Sequence, residues 1–467
     1  MDNGINQIAQ FIVGIILARM LSPKEFGLIG MITVFVLISE AFINSGFSQA
    51  LIRKRNCNQT DFSTAFFFNL FASSVLYILL FLIAPLIANF YKQPELIKLI
   101  RILGIILFIN AFGIVQQAIL IKDVDFKTQA KISFIASIVS GLVAIVAAYY
   151  GLGVWSLVLK MLLRSFVNSV LLWLGNRWYP TSMFSKNSFK ELFSFGNKLL
   201  LSGLLKSSLD NIYYIVIGKF FSVYELGFFS RADQFTKLPS HTLTKTLQRV
   251  AFPVLSEMQD DDIRLKTAYK KFIKITVYVN SSVMLILAAV AEPLIVSLLG
   301  VKWIQTVPYL QLLCLSQLVY PAISLNMNTL IVKGRTDLFL KLEILSKLLI
   351  IPVVIIGILT NIYVMIIGII IQSVLQFLII SFSTSKMINY GVVEQLLDVG
   401  SGFVIAFLSA LFLKLLQQYI FLEPLTELIF LTSIGGFLII FFSEILRNNS
   451  YIELKSIVQN KLLKYRK

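Results

Sequence analysis

The sequence predicts an all-α integral membrane protein. Apolar residues make up 57% of the 467 residues, charged residues only 14%, and the mean hydropathy is +0.83. A water-soluble fold of this length cannot bury so much apolar surface. Apolar runs of about 20 residues, the length that a helix needs to cross a bilayer, recur along the whole chain. Because these runs are continuous and do not alternate with polar residues, they favour helices over a β-barrel.

Hydropathy and chain breakers predict fourteen membrane spans. In chain order the spans cover residues 4–21, 26–48, 63–90, 97–120, 132–150, 153–174, 196–218, 227–252, 273–298, 306–331, 338–359, 362–382, 399–418 and 425–445. The eighth span, 227–252, is unusually polar.

The chain contains an internal repeat at the end of the first and seventh spans. Residues 15–31, IILARMLSPKEFGLIGM, align without gaps on residues 215–231, IVIGKFFSVYELGFFSR. Ser22, Glu25 and Gly27 are each matched by an identical residue 200 positions later. Six spans separate the two copies, so both have the same orientation, as in parallel repeats about an axis along the membrane normal.

The repeat predicts two six-helix bundles, at 1–175 and 190–383, followed by two additional spans at 396–446 and a basic tail at 447–467. Transporters with two bundles bind their substrate between them and move one bundle against the other. Such an arrangement favours transport over a static anchoring role.

The distribution of Lys and Arg predicts that both termini are cytoplasmic. Loops after even-numbered spans and the tail carry 25 of these residues, and loops after odd-numbered spans carry 8. Cytoplasmic loops are the ones enriched in Lys and Arg. Because this bias explains most of the net charge of +17, that charge does not indicate a nucleic-acid partner.

The eighth span is a strongly amphipathic helix. One half of its helical wheel holds Arg231, Gln234, Lys237, His241, Thr244, Lys245, Gln248 and Arg249. Four cations facing lipid would cost roughly 10 to 14 kcal/mol. We therefore expect this face to form the wall of a wet cavity that binds an anionic group such as a phosphate or an acidic sugar. The alternative is an interfacial helix bound to anionic headgroups.

The sixth and seventh spans contain further charged residues. Lys160, Arg164 and Asn168 follow one another at intervals of four and so share one helix face. They are a second candidate for the cavity wall, the alternative being that the long cationic side chains snorkel to headgroups. Lys206 and Asp210 are one turn apart, which fits either a structural ion pair or a role in binding substrate or a coupling ion.

Glu40 is the other carboxylate deep in a predicted span, and it is either a proton or sodium site or a structural, hydrogen-bonded acid. His241 is the only histidine of the chain, so a histidine-based metal site or catalytic triad is not predicted. The sequence has no Walker motif, HExxH or nucleophile elbow. We expect no cofactor, no metal and no enzymatic activity.

Two long stretches resemble a known family. ILARMLSPKEFGLIGM, followed by GFSQALIRKRNCNQTDFSTAFF, resembles the start of the polysaccharide flippases of the multidrug/oligosaccharidyl-lipid/polysaccharide (MOP) superfamily. LDNIYYIVIGKFFSVYELGFFSRADQFTKLP, with TLQRVAFPVLSEMQDD after it, is similar to the seventh and eighth helices of that family. The agreement covers about residues 5–390. Family members usually carry an additional cationic stretch before the first helix, and this sequence begins a few residues ahead of its first apolar run.

The resemblance implies a flippase that moves undecaprenyl-pyrophosphate-linked oligosaccharide across the bacterial cytoplasmic (inner) membrane for O-antigen, capsule or exopolysaccharide synthesis. It places the eighth span in the membrane, and Asp210, Asn211, Arg231 and Arg249 match polar positions of the family. The implied partners are the lipid-linked oligosaccharide, membrane lipid and a downstream polymerase, with Glu40 and Asp210 as candidates for ion coupling. The alternative function is a cation-coupled multidrug exporter of the same fold, but exporters of cationic drugs should have acidic cavities.

Overall fold

The computed structural model describes residues 2–54, 56–176, 178–181 and 184–465. Within these ranges the chain forms twenty-one α-helices and one 3-10 helix at Val301–Trp303, without β-strands. The helices are α1 (Asp2–Met20), α2 (Pro23–Ser45), α3 (Phe47–Arg53), α4 (Gln59–Tyr91), α5 (Leu96–Leu103), α6 (Ile105–Lys122), α7 (Phe126–Tyr149), α8 (Val154–Gly175), α9 (Lys186–Asp210), α10 (Ile212–Phe220), α11 (Val223–Glu257), α12 (Asp262–Ala289), α13 (Ala291–Leu298), α14 (Thr306–Gln317), α15 (Tyr320–Val332), α16 (Thr336–Leu348), α17 (Ile350–Leu359), α18 (Ile362–Ile388), α19 (Val392–Gln417), α20 (Pro424–Ile445) and α21 (Asn449–Tyr465). The predicted all-α class is confirmed.

Eleven helical segments in the described ranges are long and apolar enough to cross a membrane. They correspond to eleven of the fourteen predicted spans. The other three predicted spans correspond to α1, to α9 with α10, and to α11. The apolar part of α1 is short, Asn6–Met20, and α11 is interrupted by charged residues. The count of fourteen is therefore not confirmed.

Proline affects the helices differently at different positions. Pro321 follows the break between α14 and α15, and its missing N–H leaves the Gln317 carbonyl without a helical donor. The side-chain amide of Asn280 donates to this carbonyl at 2.9 Å. By contrast, α11 continues through Pro239 and Pro253.

The helices group into two compact units, Met1–Ser230 and Arg231–Lys467. In the first unit α7 packs against α1 and α8, α6 packs against α4 and α8, and α9 packs against α2 and α3. Helices α9 and α10 therefore belong to the same compact unit as the helices that precede them in the chain. The predicted six-helix bundles at 1–175 and 190–383 stay a prediction.

The two copies of the repeat contact each other reciprocally within the first unit. A β-carbon at Gly27 would lie 1.8 Å from the carbonyl oxygen of Val223, and one at Gly227 would lie 2.1 Å from the carbonyl oxygen of Pro23. Val223 is itself the equivalent of Pro23 in the second copy. Reciprocal contacts of this kind arise when two elements are related by an approximate twofold axis. The helix starts approach so closely that only glycine fits at positions 27 and 227.

The second unit is built around α12, which packs on α14, α15 and α19. Its interior contains a satisfied polar network in which the Asn326 amide donates to Ser381 and Gln395 at 3.2 and 3.1 Å, and Thr384 donates to Asn326 at 2.7 Å. Near the start of α12, Lys270 forms ion pairs with two acids of α19. These contacts join helices that are distant in sequence.

Some residues counted for the predicted membrane orientation cannot be placed. Arg55, Arg177, Arg466 and Lys467 lie outside the described residues, as do the side chains of Lys198, Lys461 and Lys464.

Candidate functional site

A polar pocket lies inside the first unit, among α2, α6, α7 and α8. Its volume is about 360 Å³. It is lined by Thr33, Val36, Leu37, Glu40, Ile106, Asn110, Gly113, Ile114, Gln117, Ser133, Met161, Arg164, Ser165, Asn168, Ser169 and Leu172. The lining combines a carboxylate, a guanidinium, several amides and several hydroxyls.

The two charged side chains of this pocket have neutral amide partners. Glu40 accepts a hydrogen bond from the Asn110 amide at 2.7 Å, and Arg164 donates to the Gln10 side-chain oxygen at 2.8 Å. Both charged residues are half-buried. Ionisable groups at membrane depth are costly and normally line a cavity or pair with another group. Here the carboxylate and the guanidinium compensate each other's charge across one pocket, while each keeps most of its hydrogen-bonding capacity.

Helix geometry explains how these residues meet. Thr33 and Glu40 are seven residues apart on α2, and Arg164 and Asn168 are four apart on α8, so each pair lies on one helix face. The predicted face of the sixth span therefore reaches the pocket through Arg164 and Asn168. Lys160, one turn earlier, is not part of the lining.

Sequence reasoning assigned Glu40 and Arg164 to different roles and missed Gln10 and Asn110. The structure brings Glu40 and Arg164 into the same pocket. A sequence signal exists for Asn110, which is an amide within an otherwise apolar run, whereas Gln10 lies close to two further amides, Asn6 and Gln7. An unpaired amide is expensive in lipid, as a charged residue is, so it needs a partner.

The polar face of α11 carries the other predicted site residues. Lys237 pairs with Asp233 at 2.8 Å, one turn apart. The ring of His241 stacks on that of Tyr320 in α15, with centroids 4.1 Å apart and planes within 7°. Gln248 donates to Ser324, also in α15. These contacts place the middle of the α11 polar face along α15.

The cations of α11 differ in exposure. Arg231 and Lys237 are half-buried, whereas Lys245 and Arg249 are exposed. Three small hydroxyl residues one turn apart, Thr236, Ser240 and Thr244, are fully buried, and the two threonines donate to carbonyls in the preceding turn. Such bonds satisfy the hydroxyls locally. Lys245 and Arg249 are thus the cations on the accessible surface of the helix.

Lys206 and Asp210 lie one turn apart on the exposed surface of α9. Asp210 is the last residue of α9, and the chain turns at Asn211 into α10. These two positions are not part of the pocket in the first unit. Their assignment as an ion pair or as a binding site stays a prediction.

In the part of the chain that the structure describes, His, Cys, Asp and Glu side chains form no group of three or more that could hold a metal ion. The pocket of the first unit has one carboxylate and otherwise amides and hydroxyls, together with a cation. The two candidate regions therefore differ in charge: the pocket pairs one cation with one anion, and the α11 face is cationic.

A protein-family model described as "Polysaccharide biosynthesis protein" matches residues 16–308. This chain belongs to that family. The matched range includes all of α11 and every lining residue of the pocket in the first unit, so both candidate regions lie within it. The resemblance identified from the two long stretches is confirmed.

Three relatives show the similarity of this family member to other proteins, and two of them are named as biosynthesis proteins of teichuronic acid and of lipopolysaccharide. It is 28% identical to the teichuronic acid biosynthesis protein TuaB of Bacillus subtilis, over 72% of this chain and 69% of the relative. It is 25% identical to a membrane protein of the cps region of Klebsiella pneumoniae, over 97% and 95%. The lipopolysaccharide biosynthesis protein WzxC of Escherichia coli is 24% identical over 73% and 70%.

Two solved structures share the fold of this family member. The lipid II flippase MurJ, in an inward closed conformation, superimposes with a TM-score of 0.76 at 16% identity, covering 95% of this chain and 97% of the other. An inward-facing multidrug resistance MATE transporter of the MOP superfamily gives 0.64 at 17% identity, covering 82% and 95%. Together with the apolar helices, these likenesses establish a multi-pass membrane protein with the MOP-type fold.

Proposed function

We propose that this protein is a flippase that moves undecaprenyl-pyrophosphate-linked oligosaccharide from the cytoplasmic to the outer leaflet of the bacterial cytoplasmic membrane. The observation that carries the proposal is the cationic face of α11 in a member of the polysaccharide biosynthesis family. The names of WzxC and TuaB, and the likeness in fold to a lipid II flippase, support it. Both termini of the chain would then be cytoplasmic.

The proposed mechanism is alternating access without covalent chemistry. Arg231 and Arg249 supply planar donor groups that bind phosphate oxygens in pairs, and Lys245 supplies a compact positive charge. Because pyrophosphate carries several negative charges, such a face lowers the cost of moving it through the membrane interior. The polyprenyl chain remains in lipid throughout.

The direction of transport requires a source of free energy. Glu40 and Asp210 are the candidates to bind a coupling proton or sodium ion, since a carboxylate at membrane depth changes charge when it binds either ion. Removal of the product by a downstream polymerase at the outer leaflet would drive the same movement by mass action. The partners proposed are thus lipid-linked oligosaccharide, membrane lipid and a polymerase.

The experiment that tests this function is deletion of the gene, followed by analysis of lipid-linked glycan in each leaflet. We expect glycan lipid to accumulate in the inner leaflet and surface polysaccharide to disappear, with both effects reversed by the wild-type gene. Unchanged surface glycan would refute the proposal.

A cation-coupled multidrug exporter is the second candidate, because the MATE transporters share the fold. The basic character of α11 argues against it, since a cationic drug would be repelled by that face. The same deletion strain distinguishes the two functions. Increased drug sensitivity together with normal surface glycan would establish the exporter.

A further inference from the structure

The polar pocket of the first unit has the size of a small-ligand site. Its volume of about 360 Å³ is at the lower end of the range of about 300–1000 Å³ that small-molecule pockets span. That volume accommodates a single sugar ring but not a whole oligosaccharide unit with its pyrophosphate. If the transported molecule binds here, the pocket can hold only one part of it.

The lining has donors and acceptors in the mixture that a sugar needs. The bonds to Asn110 and Gln10 occupy one oxygen of Glu40 and one terminal nitrogen of Arg164, which leaves the second carboxylate oxygen and most guanidinium N–H groups available. Asn168 and Ser165 add an amide and a hydroxyl on the same wall. Each sugar hydroxyl both donates and accepts, so it can bond to a carboxylate on one side and a guanidinium on the other.

The charge of the pocket argues against pyrophosphate as its ligand. Glu40 and Arg164 sum to zero, so the several negative charges of a pyrophosphate would face one cation and one anion. The α11 face, in contrast, carries Arg231, Lys245 and Arg249. The two regions therefore suit different parts of one molecule: the α11 face suits pyrophosphate, and the pocket suits an uncharged, polyhydroxylated group.

We propose that the pocket of the first unit binds one sugar ring of the lipid-linked glycan, with Arg164 donating to the ring hydroxyls and Glu40 accepting from them. This inference rests on the flippase function proposed above. It assigns Glu40 a role in recognising the glycan, which leaves Asp210 as the candidate for ion coupling. It also predicts that the sugar nearest the pocket limits which glycans are transported.

The test uses a cysteine in the pocket as a reporter. Ser165→Cys is introduced into the full-length protein after Cys57→Ser and Cys314→Ala, and the purified protein is reconstituted in lipid nanodiscs. The rate of maleimide labelling is measured with the oligosaccharide unit released by mild acid from the host's own glycan lipid, and separately with inorganic pyrophosphate. We expect the oligosaccharide to slow labelling several-fold and pyrophosphate to leave it unchanged.

Variants of the pocket residues then test whether these residues cause the slower maleimide labelling. Glu40→Gln and Arg164→Gln should weaken protection by the oligosaccharide about 10-fold, as loss of a hydrogen bond to a charged group does. Lys131→Gln is the matched control, because it removes an exposed charge from α7 outside the pocket. Should either charged variant fail to elute as a single species on gel filtration, Asn168→Ala tests the same wall without changing charge.

Two results would overturn the inference: pyrophosphate protects the reporter cysteine as well as the oligosaccharide does, or neither compound protects it. Failure of the flippase function is separately visible, because the deletion strain would then show normal surface glycan. Inner-leaflet accumulation of glycan lipid without oligosaccharide protection would refute the sugar site alone.

Discussion

The two copies of the repeat begin alike and then diverge. In the first copy the backbone N–H of Ser22 donates to Glu25 at 2.5 Å, and in the second the backbone N–H of Glu225 donates to the Ser222 hydroxyl at 3.1 Å. Both pairs use the same two residue types to start a helix. Beyond this shared start, α2 has Glu40 as its one charged residue, whereas α11 has four cations.

This difference separates the residues that the helix packing requires from the residues that form the candidate binding sites. The residues shared by the copies are those that the helix crossing and the helix start require, which include the two glycines in backbone contact. Other residues differ within the repeat itself, as Lys24 and Tyr224 do. The charged residues of the candidate sites lie farther along each helix, where side chains of α2 reach a pocket and those of α11 form a cationic face. Four predictions test this separation, and the first concerns the helix crossing itself.

Gly27→Ala should have the largest effect on stability. The added methyl would lie 1.8 Å from a backbone carbonyl oxygen, which cannot rotate away as a side chain can. Overpacking of this kind costs typically about 1 to 3 kcal/mol. We expect a clearly lower midpoint of thermal unfolding in detergent, and a similar decrease for Gly227→Ala if the two copies are equivalent.

The matched control is Gly436→Ala in α20, where an added β-carbon would meet no atom within 4 Å. Alanine has the higher helix propensity, so this variant should be unchanged or slightly more stable. Equal midpoints for Gly27→Ala and Gly436→Ala would show that the crossing is not tightly packed.

Sequence patterns predicted the helices better than they predicted which helices contact each other. The apolar runs predicted the membrane helices, and the alignment of 15–31 with 215–231 predicted a repeat. Neither pattern showed that the two copies contact each other, because that contact depends on tertiary packing. The short helix α3 and the C-terminal α21 were also not predicted, since neither contains a long apolar run.

For the candidate site, too, the sequence predicted which residues share one helix face but not which helices meet. The helical wheel identified the polar residues of α11, and the four-residue spacing identified Arg164 and Asn168 as neighbours. That Glu40 shares a pocket with Arg164 follows from how α2 and α8 are packed, which spacing within one helix does not reveal. The helical wheel placed Thr244 on the polar face, but the structure buries it together with Thr236 and Ser240. A threonine can be buried in this way because its hydroxyl bonds to its own helix.

Among substitutions in α11, Arg231→Ala and Arg249→Ala should have the largest effect on transport. Loss of a charge-assisted contact to phosphate is worth about 1.5 to 3 kcal/mol, which corresponds to a decrease of about 10-fold or more in transport rate. The measurement is the appearance of glycan lipid in the outer leaflet of the complemented deletion strain, with protein amounts compared by immunoblot. Arg264→Ala, an exposed arginine of α12, is the control. Normal transport by both α11 variants would show that this face does not bind the substrate.

The stacked pair of His241 and Tyr320 should contribute a smaller, measurable coupling. Parallel aromatic pairs are worth about 0.5 to 1.5 kcal/mol beyond their buried area. A double-mutant cycle with His241→Leu and Tyr320→Leu measures this coupling as the part of the stability change that is not additive. We expect about 1 kcal/mol from thermal or denaturant unfolding. Additive effects of the two substitutions would mean that the stack does not hold α11 to α15.

Lys24→Tyr should have the smallest effect, and it completes the comparison because Tyr224 is the equivalent residue of the second copy. Lys24 pairs with Glu95 at 2.8 Å, but the two side chains are 34% and 54% exposed. Exposed ion pairs contribute about 0 to 1 kcal/mol and weaken as salt is added. We expect the unfolding midpoints of Lys24→Tyr and the wild type to be nearly equal and to converge further at high ionic strength. A large, salt-insensitive loss of stability would show that position 24, unlike its counterpart, is required for the helix crossing.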